Sequence, residues 1–175
     1  MTYHAVTKLN AMAAQDVQAY NADFISASNL DNGFACVLLT MSGSEVYAAT
    51  APSSASSTGV YIVDSPVLPF VTNSAGDKIN GIGTARDFYT IAGEVGVARR
   101  LQLGDEIEIS AEALDSSTTA AYAIPDDSGN YKWKWSAVTV NGCYLQYLST
   151  GYISVPDGGI NSGRVTSYKF RVAHI

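Results

Sequence analysis

The sequence predicts an all-β fold, a sandwich or barrel of about 8–10 short antiparallel strands with an extended N-terminal arm. Turn-forming residues recur roughly every 8 to 12 residues, apolar and polar residues alternate between them, and helical periodicity is weak. A chain of 175 residues fits one domain with a hydrophobic core. The predicted organisation is an arm over residues 1–30 and a β domain over residues 31–175.

The composition is poor in charge, since charged residues make up 15% of the chain. The net charge of −6 is uneven: residues 31–128 hold thirteen acids and four bases, and residues 129–175 hold one acid and five bases. So little surface charge is typical of a protein that a partner covers, and a weakly charged monomer is the alternative. The bases are too few and too dispersed for a nucleic-acid site, so we expect no nucleic-acid partner.

Compartment and redox state follow from two further features. Cys36 and Cys143 lie in apolar, strand-like runs, which predicts small buried side chains, with a disulfide as the alternative. The chain opens with no basic-then-apolar signal and contains no apolar run of about 18 residues. We therefore expect a protein that is not exported and has no membrane partner.

The predicted arm carries five spaced apolar side chains. Most of them fall roughly on one helical stripe, but no ion pairs support a helix, so the arm is expected to be extended or partly helical. A segment of this length cannot fold alone, so it either packs on its own domain or lies on a neighbour. The candidate contact residues to a partner surface are Leu9, Met12, Val17, Tyr20 and Phe24.

The first half of the β domain contains two clear strand patterns. Residues 34–40 form a continuous apolar run that predicts a central strand, and residues 59–63 predict the next one. Residues 51–58, between these two runs, form a loop of small, uncharged residues. Prolines exclude a regular central strand over residues 67–70. The glycines of residues 75–97 lack the pattern of a phosphate-binding loop, so they are interpreted as turn glycines.

Residues 99–113 predict a hairpin around Gly104-Asp105. Leu101 alternates with polar neighbours before this pair, and Ile107 and Ile109 do so after it. Glycine tolerates a positive φ, and the short aspartate carboxylate can accept hydrogen bonds from nearby main-chain amides.

An aromatic strand follows the polar turn at residues 125–130. That turn lacks the spacing of a calcium-binding loop, so a hairpin turn is favoured. Tyr131, Trp133 and Trp135 alternate with lysines and form one aromatic face. Packing in a core or between subunits is favoured for this face over binding of sugars or single-stranded nucleic acid.

The C-terminal part of the sequence predicts a further hairpin and a terminal strand. Asn141-Gly142 is a hairpin signal that leads into the apolar run of residues 143–148. Residues 164–175 alternate so regularly that the terminal strand is expected to be paired.

No catalytic constellation is apparent in the sequence. His4 and His174 are at opposite ends, the two cysteines are far apart, and no Gly-x-Ser-x-Gly elbow occurs. The acids Glu106, Glu108 and Glu112 are interpreted as a solvated face rather than a glycosidase pair. We expect no enzyme activity, catalytic residue, metal or cofactor. A hydrolase would need His174 beside a nucleophile.

Several phrases in residues 31–115, taken in order, resemble the head decoration or cement proteins that tailed bacteriophages encode beside their major capsid protein. The phrases are Asp31-Asn32-Gly33, Tyr47-x-Ala-Thr-Ala-Pro52, Tyr61-Ile-Val-Asp-Ser-Pro66, Thr72-Asn-x-Ala-Gly76 and Leu103-Gly-Asp-x-Ile-x-Ile-Ser110 with Ala111-Glu-Ala-Leu114 after it. In the family, the fourth phrase leads almost directly to the fifth. Residues 77–99 therefore resemble an insertion, and the aromatic-rich residues 129–175 also exceed the family pattern.

The resemblance implies a structural virion protein that binds the outer surface of the capsid and stabilises the head. Its partner would be the major capsid protein, and a homo-oligomer is expected, with a trimer favoured. The expected location is the virion, after assembly in the host cytoplasm. The alternative is a carbohydrate-binding β module on the virion surface, with Tyr131, Trp133 and Trp135 as an exposed platform.

Overall fold

The computed structural model describes residues 3–41, 45–67, 70–72, 78–80, 85–116, 119–155 and 163–175. Strands dominate these ranges, which confirms the all-β prediction. The strands are β1 Thr7–Ala11, β2 Asn21–Ser26, β3 Ala35–Met41, β4 Tyr47–Thr50, β5 Val60–Val63, β6 Phe70–Thr72, β7 Lys78–Asn80, β8 Val95–Arg100, β9 Glu106–Ser110, β10 Tyr122–Pro125, β11 Trp133–Ser136, β12 Tyr144–Val155 and β13 Gly163–His174. The helical elements are short: α1 Ala13–Asp16 and 3-10 turns at Gln18–Tyr20, Ala85–Asp87 and Ala111–Ala113.

Five strands close into a small barrel in the order β2-β4-β3-β5-β8. Neighbouring strands are antiparallel except for β2 and β4. Phe24 fills the interior together with Cys36, Val63 and Ala98. A Cβ at Gly96 would lie 2.6 Å from the Phe24 ring, so only glycine fits opposite this side chain.

The second unit is a six-stranded antiparallel sheet in the order β1-β9-β13-β12-β10-β11. One face of this sheet packs on the outer wall of the barrel. Ile107, Trp133 and Phe170 from the sheet share a buried cluster with Val60 and Ile62 from the barrel. The main hydrophobic core is therefore the seam between the two units, and the barrel interior is a second, smaller core.

The terminal strand is paired, as predicted: β13 lies between β12 and β9 and hydrogen-bonds to both. The hairpin predicted for residues 125–130 is also confirmed, since β10 pairs with β11 across that turn.

The glycine predictions at residues 76, 81 and 83 lie outside the described residues, as does part of the predicted insertion. Strand β6 pairs with β7 in a two-stranded ladder, separate from both larger sheets. No described helix is long and apolar enough to cross a bilayer.

The hairpin predicted around Gly104-Asp105 is wrong in its pairing. Strand β8 lies in the barrel and β9 in the sheet, so the turn carries the chain from one unit to the other. The local chemistry is as expected: Gly104 has φ +92°, and the Asp105 carboxylate accepts hydrogen bonds from the amides of Ala13 and Gln102. The pairing differs because Leu101 is buried in the seam between the units.

The hairpin predicted at Asn141-Gly142 is also wrong. Strands β11 and β12, on either side of this pair, both hydrogen-bond to β10 and lie on opposite sides of it. Residues 137–143 therefore form a connection that crosses over β10. Here glycine serves a close approach of two main chains rather than a tight turn.

The predicted separation of an N-terminal arm from a β domain is wrong for the described residues. Strand β1 is the edge strand of the sheet beside β9, and β2 is a barrel strand between β4 and β8. The apolar side chains of this segment supply both cores: Met12 is buried in the seam and Phe24 in the barrel. The segment is held by contacts with distant parts of its own chain rather than by residues near it in sequence.

Phe24→Ala tests whether the N-terminal segment is part of the barrel core, with Val17→Ala as the control on the same segment. Phe24 is fully buried, so truncation should lower the free energy of unfolding by about 3–5 kcal/mol. Val17 is 42% exposed, and its truncation should change that energy by less than about 0.5 kcal/mol. Urea denaturation followed by fluorescence measures both. Equal, small effects would mean that the segment folds independently of the barrel.

The prediction for the cysteines is confirmed: Cys36 and Cys143 are free and buried. Burial raises the pKa of each thiol from 9.0 to about 12. Folding thus favours the protonated thiols, and this contribution to stability is complete below pH 9.0 and is lost as the pH rises towards 12.

We therefore expect the free energy of unfolding to fall more steeply between pH 9 and 12 in the natural chain than in a Cys36→Ala, Cys143→Ala double variant. Urea titrations at a series of pH values measure the difference, and the double variant removes the contributions of tyrosine and lysine titration from the comparison. Parallel pH profiles would show that the thiols ionise as readily in the folded chain as in the unfolded one.

Candidate functional site

The five residues predicted to contact a partner do not form one surface. Met12 and Phe24 are buried, Leu9 and Tyr20 are partly buried against the seam, and Val17 is exposed alone. Met12 and Phe24 therefore serve the folding of this chain, and the other three side chains do not make one continuous contact surface.

The predicted aromatic face packs inward rather than forming a platform. Trp133 is fully buried, and its indole Nε1–H donates to the Gly33 carbonyl at 3.0 Å. Trp135 is half-buried, with the rings of Tyr168 and Phe170 at centroid distances of 5.2 and 5.4 Å. The Tyr131 hydroxyl shares a hydrogen bond with Ser26 at 3.2 Å. Trp133 and Tyr131 therefore join the sheet to the barrel, and Trp135 packs on aromatic rings of its own sheet.

The acids interpreted as a solvated face lie in three different environments. Glu106 forms an exposed ion pair with Arg171 at 2.6 Å. Glu112 forms a partly buried pair with Arg86 at 2.5 Å. Glu108 is buried, with 2% of its surface exposed, so the prediction is wrong for this residue.

Glu108 lies on the face of the sheet that points away from the barrel. Its neighbours in register are Lys8 on β1 and Lys169 on β13, so a lysine flanks Glu108 on each neighbouring strand. The Ser167 hydroxyl donates to Glu108 Oε1 at 2.5 Å, and Gly151 leaves room for that oxygen. A buried carboxylate with these neighbours favours one strand register over its alternatives.

Glu108→Ala should destabilise the fold by about 1–3 kcal/mol, because the buried Ser167 hydroxyl loses its acceptor. The matched control is Glu106→Ala on the same strand and face, with an expected cost below about 1 kcal/mol since its ion pair is exposed. Chemical denaturation of the two variants measures the difference. A cost at Glu106 equal to that at Glu108 would contradict it.

The two histidines take part in separate contacts. His174 Nδ1–H donates to the Gly142 carbonyl at 2.8 Å, and its ring stacks on Tyr144. His4 Nδ1 is 2.8 Å from Asp31 Oδ1. The other Asp31 oxygen accepts the Ala5 amide, so this carboxylate fixes the N-terminal segment.

No local pattern in the sequence indicates a contact between His4 and Asp31, because 27 positions separate the two residues. Over the described ranges, no group of three or more His, Cys, Asp or Glu residues is placed to hold a metal ion.

An uncharged groove with a volume of about 290 Å³ lies on the outer wall of the barrel. Its lining residues are Val37, Leu39, Thr50, Ala51, Ser53, Ser57 and Thr58, and none carries a charge. Leu39 is 56% exposed there. The alternation of β3 produces this surface: Ala35 faces the seam, and Val37 and Leu39 continue the same row beyond the sheet.

One wall of the groove is the loop of residues 51–58, which we name the strap. The Ser57 carbonyl accepts the Cys143 amide at 2.9 Å, so the strap is attached to the sheet unit. The sequence predicted an uncharged loop here but not a groove. Only the folded chain places the strap beside the exposed end of the β3 row.

No family model matches the chain, and no curated protein or solved structure matches it at a significant level.

Proposed function

We propose that this chain is a structural virion protein that binds the outer surface of a bacteriophage capsid, with the major capsid protein as its partner. The observation that carries the proposal is the position of the phrases that resemble decoration proteins. Residues 47–52 are β4 and the start of the strap, residues 61–66 begin within β5, and residues 31–33 precede β3. These phrases therefore frame the barrel wall that carries the groove.

The chemistry of the groove fits contact with a large repeating surface. Its lining is uncharged, and the exposed Leu39 side chain offers apolar surface whose burial against a partner is favourable. A contact of this size is weak alone, and the copies joined in one oligomer would add their contacts through avidity. The β3 wall of the groove continues the apolar row of the seam, so the position of that wall is fixed by the core.

We extend the proposal to a homo-oligomer, with a trimer favoured, located in the virion after assembly in the host cytoplasm. Acids in the middle of the chain and bases near its end would orient neighbouring copies, because charge complementarity sets register more than affinity. The carbohydrate-binding alternative depends on an exposed aromatic platform, and the buried Trp133 does not supply one. We do not propose it.

Leu39→Asp tests the contact, with Leu103→Asp as the matched control. Both leucines are exposed, at 56% and 67%, and Leu103 lies on the turn before β9 rather than in the groove. We expect the copy ratio of this protein to the major capsid protein on purified heads to fall at least about tenfold for Leu39→Asp, equivalent to about 1.4 kcal/mol per site. The Leu103→Asp ratio should stay unchanged.

Binding of the natural chain should also survive ~0.5 M salt, where the Debye length is only about 4 Å and contacts made mainly of charge are screened. Gel densitometry of washed heads measures the ratio in both experiments. Release of the protein at that salt, together with normal binding of Leu39→Asp, would refute an apolar groove contact and point to a charged face.

A further inference from the structure

Two main chains come unusually close where the strap meets the sheet unit. A Cβ built on Gly142 would lie 2.3 Å from the Ser56 carbonyl carbon and 2.7 Å from its Cα. Real Cβ atoms do not approach main-chain atoms so closely, and a main chain cannot rotate away as a flexible side chain can. Any side chain at position 142 therefore has to displace the strap or the connection that contains Gly142.

We infer that Gly142 is a positioning residue for the groove: its missing side chain lets the strap lie where it forms one wall. The inference deepens the proposed function and rests on it only for what the groove binds. The geometry of the strap itself stands on contacts within this chain.

Hydrogen bonds on both sides of Gly142 hold its peptide in place. The Gly142 carbonyl accepts from His174 Nδ1–H at 2.8 Å. The following amide, that of Cys143, donates to the Ser57 carbonyl at 2.9 Å. Cys143 itself is buried in the seam, so this connection cannot withdraw without disturbing the core. The strap is therefore the side that has to move.

Displacement of Ser56 reaches the groove through the next residue. Ser57 and Thr58 line the groove, whereas Ser56 contacts Gly142. The strap is braced by hydrogen bonds from the Ser56 and Ser57 amides to Ser54, so it moves as one piece. Its residues are small and uncharged, and no packed side chain of the strap opposes such a shift apart from the buried Pro52.

The test compares Gly142→Ala with Gly163→Ala. Among the described residues, a Cβ at Gly163 meets nothing nearer than 3.7 Å, which is an ordinary contact, so this variant controls for loss of a glycine. The first readout needs no partner: the rate of deuterium exchange of the Cys143 amide, which donates to the Ser57 carbonyl of the strap, measured by mass spectrometry on the free folded protein. The second readout is the copy ratio on purified heads.

For Gly142→Ala we expect the Cys143 rate to rise at least about tenfold and the copy ratio to fall at least about tenfold, while Gly163→Ala changes neither. An unchanged Cys143 rate would overturn the inference, whatever happens on heads. A raised rate with a normal copy ratio would support the strap contact and refute the groove as the capsid contact, so the two failures are distinguishable.

If Gly142→Ala loses cooperative melting, His174→Ala replaces it. That variant removes the hydrogen bond to the Gly142 carbonyl from an exposed terminal position and leaves Gly142 in place. The Cys143 amide should then exchange with deuterium several-fold faster, because the connection beneath the strap is less constrained. Unchanged exchange would overturn the inference.

Discussion

Burial of one apolar seam between the barrel wall and the six-stranded sheet is the constraint on which the rest of the structure depends. The sheet offers Ile107, Ile109 and Phe170, and the barrel offers Val60 and Ile62. Neither unit could expose these side chains to water without losing the main contribution to its stability. Trp133 fixes the seam in one orientation, since its Nε1–H reaches the Gly33 carbonyl across the interface. The connections that cross from one unit to the other are shaped to keep this contact.

The sequence predicted strands well because alternation is a local property. The runs at residues 34–40, 59–63 and 164–175 correspond to β3, β5 and β13. Pairing is not local, and the two glycine turns show why. Gly104 has the conformation that a hairpin turn needs, yet Leu101 before it and Ile107 after it both enter the seam, which places the flanking strands in different sheets. Turn chemistry therefore identifies where a chain changes direction but not the strand it meets next.

The same limit applies to where the sequence places individual side chains. An apolar residue without local partners, such as Met12 or Phe24, looks free for a partner when only neighbours in sequence are considered. In the folded chain its partners lie far along the sequence. Alternation with isoleucines predicts that the Glu108 side chain is exposed to solvent. In the folded chain it is buried, because residues of its own and neighbouring strands cover it. The aromatic face differs, because alternating aromatic residues usually pack in a core and Trp133 does so.

The groove follows from the seam rather than from a local motif. The outer row of β3 is longer than the part that the sheet covers, so Ala35 is buried and Leu39 is exposed on the same side of one strand. The strap closes this uncovered end because Gly142 lets two main chains meet. A contact surface made in this way takes its position from the core and its lining from a loop of small residues. Changes in the strap can then alter what the surface binds with little effect on the seam, because the strap contributes Pro52 but no large side chain to buried structure.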